Sequence, residues 1–256
     1  MTTLPYAEID TLFLDAGNTL ISMNYQWVAT ELESFGIRAS AESLRRAEAA
    51  ARPATSARIA AARSGDNYDL FTFHLARMLE CLATVPSERS SGAPALVSEL
   101  AARLKRPGQD YRLWSWVLPG VAEALEKLRA LDLRLIVVSN SDGSVQRALE
   151  ELGLATHLNA VFDSHVVGFE KPDPRFFAHA LCASGATAGR TAHVGDMYYQ
   201  DVQGSRSAGL HSVLLDPYGD WQVDDCVRCR DLSELADRLA GARRGDSLPI
   251  SDTSPE

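Results

Sequence analysis

Leu12-Phe13-Leu14-Asp15-Ala16-Gly17-Asn18-Thr19-Leu20 is the stretch on which the fold reading turns. An apolar run ends abruptly on a carboxylate and gives way to a Gly-Asn-Thr turn. This is the pattern of a buried strand that delivers one Asp to the C-terminal edge of a sheet. Small residues after it let a ligand approach the backbone.

Working outward, residues 9–15 form the first predicted strand, and a second region of strands begins after Leu118-Pro119-Gly120. There, helix 121–131, strand 133–139, helix 144–152, strand 160–163 and helix 174–184 alternate. Strand 191–196, helix 202–208, strand 212–215, a short strand 226–228 and helix 232–242 complete the series. Runs such as Leu-Ile-Val-Val-Ser at 135–139 are too apolar to face water on either side. Buried strands alternating with helices predict a parallel sheet covered on both faces, an α/β core.

Residues 21–115 have a different character, with helical periodicity and few strand-like runs. A helix over 25–35 is closed by Gly36, and a long Ala- and Arg-rich helix starts at Ser40 and Glu42. Pro53 is expected to interrupt that helix, which ends near Gly65. Asp66 is the expected N-cap of a third helix with the stripe Phe71, Leu75, Met78, Leu79 and Leu82, read as packing between helices. A fourth spans 94–104, before the Pro107-Gly108 break. The expected organisation is a core from 1–20 and 116–242, a helical insertion over 21–115, and a polar, disordered tail at 243–256. The Arg-Gly-Asp triplet at 244–246 in that tail reads as coincidence.

Four chemically significant pieces stand in order near predicted strand ends: Asp15, Ser139-Asn140, Lys171 in Gly-Phe-Glu-Lys-Pro-Asp-Pro, and Asp196 with Asp201. Strand carboxyl ends converge in an open α/β sheet, so these residues can share one site. Asp15, Asp196 and Asp201 would repel one another without a cation, and oxygen ligands suit Mg²⁺. Lys171 and the Ser139 hydroxyl supply the charge and the donor that a phosphate needs.

This ordered set resembles motifs I to IV of the haloacid dehalogenase (HAD) superfamily, over residues 9 to about 215. Lys-Pro-Asp-Pro-Arg-Phe-Phe at 171–177 and His-Val-Gly-Asp at 193–196 are similar to its C1-capped branch, that of 2-haloacid dehalogenases and many small-molecule phosphatases. The resemblance implies a Rossmann-like core with an all-helical C1 cap. It implies that Asp15 is a nucleophile forming an aspartyl-phosphate. Ser139, Asn140, Lys171 and Asn18 would hold the phosphate. Mg²⁺ would sit on Asp15, the Gly17 carbonyl and Asp196, with Asp201 binding it directly or through water. The substrate would be a small phosphorylated metabolite.

One position departs from the family pattern. The phosphatases carry a second Asp two residues after the nucleophile, which protonates the leaving alcohol and activates water; here that position is Gly17. A positioned general acid/base contributes about 10²–10⁴-fold. Three readings stay open. The chain is a phosphatase in which Asp142, Asp66, Asp69 or His74 stands in, or whose substrate has a good leaving group. Alternatively it is a 2-haloacid dehalogenase, or a binding or regulatory module that turns over poorly. A phosphonatase would need a lysine in the cap, and residues 21–104 contain none. Arg45, Arg46, Arg52, Arg58 and Arg63 could favour an anionic substrate, but a solvated helix face is the simpler expectation for each.

The 256 residues, 46 % hydrophobic, suffice for such a core plus an insertion. A net charge of −9 argues against nucleic acid or an anionic membrane as partner. There is no secretory pattern or membrane-length apolar run, and Cys81, Cys182, Cys226 and Cys229 form no disulfide framework. A cytoplasmic protein with reduced thiols is expected. Cys226-Val-Arg-Cys229 lacks the partner ligands of a zinc site and reads as part of a late strand.

Overall fold

The computed structural model describes residues 3–62, 69–82, 93–105 and 110–245. Expectations at Arg63, Gly65, Asp66, Pro107-Gly108 and residues 246–256 lie outside the described residues. The elements follow in chain order. β1 (Thr11–Leu14) and β2 (Ile21–Ser22) precede α1 (Tyr25–Ser34), α2 (Ala41–Ala61), α3 (Leu70–Cys81), α4 (Ala93–Leu104) and α5 (Asp110–Leu113). β3 (Trp116–Val117), α6 (Val121–Ala130), β4 (Arg134–Ser139), α7 (Val145–Glu151), β5 (Ala160–Asp163), α8 (Ser164–Val167) and α9 (Pro174–Ser184) come next. β6 (Thr191–Gly195), a π-helical turn (Tyr198–Gln203), α10 (Gly204–Ser207), β7 (His211–Leu215), β8 (Val227–Cys229) and α11 (Leu232–Arg244) complete the chain.

Six strands form one parallel sheet in the order β5-β4-β1-β6-β7-β8, a Rossmann-like α/β architecture. β1 lies at its centre, with Leu14 beside Val137 of β4 and Val194 of β6. All four β1 residues are buried. Leu12 and Leu14 enter one core with Leu135 and Val137, whereas Phe13 enters another with Ile136, Val138, Phe176 and Phe177. The period of two therefore feeds both faces of the sheet, as expected for continuous apolar strands. The strand order reverses between β1 and β6, and a crevice at the carboxyl ends opens there.

β2 and β3 pair antiparallel, Ile21 opposite Val117, and so tie together the two ends of the helical region 25–113. That region has its own core, including Val28, Leu32, Leu44, Leu75, Met78 and Leu100. The Leu75, Met78, Leu79 and Leu82 stripe of α3 is buried in it, with Phe71 packed at its margin.

Several local expectations need correction. α2 runs through Pro53 without ending. A proline inside a helix costs about 3 kcal/mol, and buried residues on both sides, from Leu44 to Ser56, hold the helix against that cost. Asp69 caps α3, its carboxylate accepting from the Phe71 and Thr72 N–H groups. The two-residue strands β2 and β3 were too short to carry an alternating pattern. The helix expected over 202–208 begins earlier, as the π-helical turn. α11 continues to Arg244, and Arg243 donates to the Ile9 carbonyl, so this part of the expected tail is helical. Cys226 and Cys229 are buried and not joined in a disulfide.

Candidate active site

Asp15 continues β1 by one residue, its N–H donating to the Val194 carbonyl at 2.8 Å. The chain then turns tightly, and Thr19, Leu20 and Ile21 N–H groups all converge on the Ala16 carbonyl. Asn18 takes a left-handed conformation (φ 52°), which Asn tolerates better than most residues. The turn carries the side chains that follow Asp15 over the ends of β4 and β6.

Lys171 is buried and bridges two carboxylates, with Nζ 2.9 Å from Asp15 Oδ1 and 2.7 Å from Asp201 Oδ1. Burial works to lower its pKa, but Asp15 and Asp201 together outweigh that and push it up to about 12. The ammonium is thus a fixed cation at the crevice. Asn140 holds the lysine in place: its Nδ2 donates to the Lys171 carbonyl at 2.9 Å and its Oδ1 accepts from the Lys171 N–H at 2.8 Å. The amide expected on a phosphate is therefore engaged with the Lys171 backbone. Ser139, buried at the end of β4, lines the crevice with Asp15 and Lys171.

Asp201 is fully engaged. Oδ1 meets both Lys171 Nζ and His193 Nε2 (2.9 Å), and Oδ2 accepts from the Met197 N–H (2.8 Å). Burial opposes its ionisation, yet Lys171 and His193 hold it well below the usual carboxylate range. Burial also depresses the His193 pKa, against the pull of Asp201, which favours a neutral ring donating from Nε2. Asp201 packs so closely on Gly195 that a Cβ there would lie 2.2 Å from its Cγ. β6 can therefore end only in glycine at this point.

Asp196 follows that glycine, buried, with Oδ2 3.1 Å from Asn18 Nδ2 and 3.2 Å from Arg52 Nε. Burial raises its pKa; Arg52 opposes this, while Asp201 and Asp15 add to it. One oxygen atom from each of Asp15, Asp196 and Asp201 lies within 4.8 Å of the others. A buried trio of oxygen donors, in which burial and then the neighbouring carboxylates push Asp196 toward protonation, suits a divalent cation.

The second side of the site comes from the helical region; Arg52 and His74 were among the sequence candidates, but Glu48, which joins them, was not. Glu48 is 1 % exposed and Arg52 5 %, one turn apart on α2. Arg52 Nη2 lies 2.6 Å from Glu48 Oε2, and its Nε bridges Glu48 and Asp196. Tyr25, Asn18 and His74 Nε2 also reach the Glu48 carboxylate, while His74 Nδ1 meets Thr55 at 2.9 Å. Burial would raise the Glu48 pKa, but Arg52 and His74 bring it to about 2. Asn18 thus gives both amide protons to Glu48 and Asp196 and has none left for a phosphate, contrary to expectation. Arg52 is likewise no solvated helix residue. The Glu-x-x-x-Arg spacing at 48–52 was the available signal, but an i,i+4 ion pair on a surface helix looks the same in sequence. α2 is also anchored by a bidentate Arg46–Asp220 pair and by Ser56, which accepts from the Tyr199 N–H.

Of the candidate stand-ins for the missing acid, Asp69 caps α3 and Asp142 accepts from the Ser144 N–H and hydroxyl. His74 alone of the three lines the same 260 Å³ cavity as Asp15, and both of its ring nitrogens face Glu48 and Thr55. Trp114 lies directly over Gly17: a Cβ on Gly17 would meet its ring at 3.3–3.7 Å.

A parallel sheet whose central strands end in Asp15 and Gly195-Asp196, with a buried lysine between two aspartates, defines a known class. The family model of the haloacid dehalogenase-like hydrolases matches residues 9–209, and the chain belongs to that family. It is 36 % identical over 159 residues to human haloacid dehalogenase-like hydrolase domain-containing protein 3, covering 62 % of this chain and 57 % of that protein. It is 38 % identical over 130 residues to phosphoserine phosphatase of Thermus thermophilus, covering 50 % of this chain and 51 % of the relative. The chain thus spans only about half the length of these curated relatives. In fold it is similar to the HAD-hydrolase YfnB from Bacillus subtilis, solved bound to magnesium, with a TM-score of 0.62 and 19 % identity over 90 % of this chain and 98 % of that one. Among the described residues, no helix is long and apolar enough to cross a membrane.

Proposed function

We propose that the chain is a Mg²⁺-dependent phosphatase acting on a small phosphorylated metabolite, with Asp15 as nucleophile and residues 21–115 as a cap over the site. The observation that carries this reading is the buried Asp15–Lys171–Asp201 chain beside Asp196 at the switch point of the sheet. The similarity to a phosphatase of Thermus thermophilus supports the same reaction class.

In this reading Asp15 attacks phosphorus and forms an aspartyl-phosphate, while the Ser139 hydroxyl and Lys171 bind the phosphoryl oxygens. Lys171 starts close to Asp15 and stays charged, so it stabilises negative charge without a proton transfer. Asn140 and Asp201 are positioning residues that keep the ammonium aimed at the crevice. Asp15, the Gly17 carbonyl and Asp196 would hold Mg²⁺. Asp201, the third of the clustered carboxylates, would bind it directly or through water, its oxygens also meeting Lys171, His193 and the Met197 N–H. When bound, the ion would shield the Asp15 carboxylate from the anionic substrate and neutralise charge in transfer.

The test is release of inorganic phosphate from a panel of acyl, aryl, sugar and nucleotide phosphates, with a 2-haloacid included. Turnover that needs Mg²⁺ and falls by at least about 10³-fold in Asp15→Asn is the expected result. Halide release without Mg²⁺ would replace this reading with dehalogenation.

A further inference from the structure

We infer that Trp114 and Gly17 are a matched pair that selects aryl phosphates, an inference that rests on the phosphatase reading above. Position 17 is not left-handed, so its backbone does not require glycine. What stands against a side chain there is the six-membered edge of the Trp114 indole, with Cζ3 at 3.3 Å, Cη2 at 3.5 Å and Cε3 at 3.7 Å from a Cβ. A side chain at position 17 would thus need the indole to give by a few tenths of an ångström, whereas glycine lets it stand where it is. Trp114 is held there by packing against both the sheet core and the core of the helical region.

Two independent features then point to the same substrate class. First, the cavity that holds Lys171 and Ser139 has Ile21, Met23, Phe71, Tyr111 and Val145 on its wall beside Trp114. A ring attached to the phosphate through oxygen would stack on the indole, while Lys171 meets the phosphate charge. Second, of the titratable groups on the wall, Glu48 and His74 are bonded to each other, to Arg52 and to Thr55, while Lys105 and Tyr111 also line the cavity. With Glu48 and His74 so engaged and no acid at position 17, a leaving oxygen that needs no donated proton is favoured. A phenolate, whose conjugate acid has a pKa of about 10, leaves unprotonated far more readily than an alkoxide. An Asp15 oxygen bonds to phosphorus as the bond from phosphorus to the aryl oxygen breaks. The electron pair leaves on that oxygen, which takes its proton from solvent. Water then adds to phosphorus, the bond to Asp15 breaks with return of the carboxylate, and the water proton passes to phosphate or solvent.

Calorimetric titration with phenylphosphonate and methylphosphonate in the presence of Mg²⁺ tests this without turnover. The wild type should bind the phenyl compound about 5- to 10-fold more tightly, as one stacked ring provides. In Trp114→Ala the ratio should fall to about twofold or less, with methylphosphonate affinity retained. Trp114→Leu, which keeps apolar contact with both cores, should lose the preference likewise and serves if the alanine variant does not fold. Equal affinities in the wild type, or a preference that survives either substitution, would overturn the inference and leave the phosphatase reading standing. Failure of both phosphonates to bind the wild type would overturn the phosphate site itself.

Discussion

Replacing Arg52 by Met would remove a buried cation that joins the helical region to the sheet edge. The side chain is almost fully buried, makes three contacts of 2.6–3.2 Å with Glu48, and lies 3.2 Å from Asp196. Methionine keeps most of the volume, so the loss is electrostatic: Glu48 is left ionised in an enclosed place. Breaking a buried pair from one side costs about 3–5 kcal/mol. For a chain of this size each kcal/mol is worth about 2–4 °C in melting temperature, so a fall of about 6–20 °C follows. Two controls identify the cause. Glu48→Gln combined with Arg52→Met should be more stable than Arg52→Met alone, because the stranded charge is gone. Mg²⁺ should raise the melting temperature of Arg52→Met by more than that of the wild type, since Asp196 no longer shares an oxygen with a guanidinium. At 100 times its dissociation constant a ligand contributes about 2.7 kcal/mol. Thermal melts followed by circular dichroism, with Mg²⁺ and with chelator, measure all of these. A loss below about 1 kcal/mol for Arg52→Met, the size of an exposed pair, would refute the argument.

Gly195→Ala should cost about 1–3 kcal/mol by overpacking and reduce phosphate release by displacing Asp201 from Lys171. Gly189→Ala, where a Cβ would meet nothing within 4 Å, should change stability little; equal losses in melts of the two would contradict the packing account. Acidification gives a further check. Glu48 is held at about 2 against 4.5 when free, so its contribution is complete above pH ~4.5 and is lost as the pH falls toward 2. That shift corresponds to about 3 kcal/mol. Urea melts of Glu48→Gln should therefore lose less stability than the wild type between about pH 5 and pH 3, and parallel losses would argue against a buried, ionised Glu48.

The amino-acid sequence by itself determined the layered α/β core and the order of its chemistry. Apolar runs such as 135–139 can only be buried on both faces, and parallel strands put their carboxyl ends on one edge. Asp15, Ser139, Asp196 and the nearby Lys171 were therefore legible as one site before any contact was known. Tertiary structure alone decided the partners of those residues. Asn18 and Asn140 carry the same amide in either reading; packing turned one toward Glu48 and Asp196 and the other onto the Lys171 backbone. Glu48 and Arg52 look like a surface pair until α2 lies against the end of β6. Gly17 reads only as a missing acid until Trp114, 97 positions away, is seen to lie against it. The physical reason is common to all these cases. Periodicity fixes which face or edge a residue occupies, whereas contacts between distant segments depend on how whole helices dock, which no local pattern encodes.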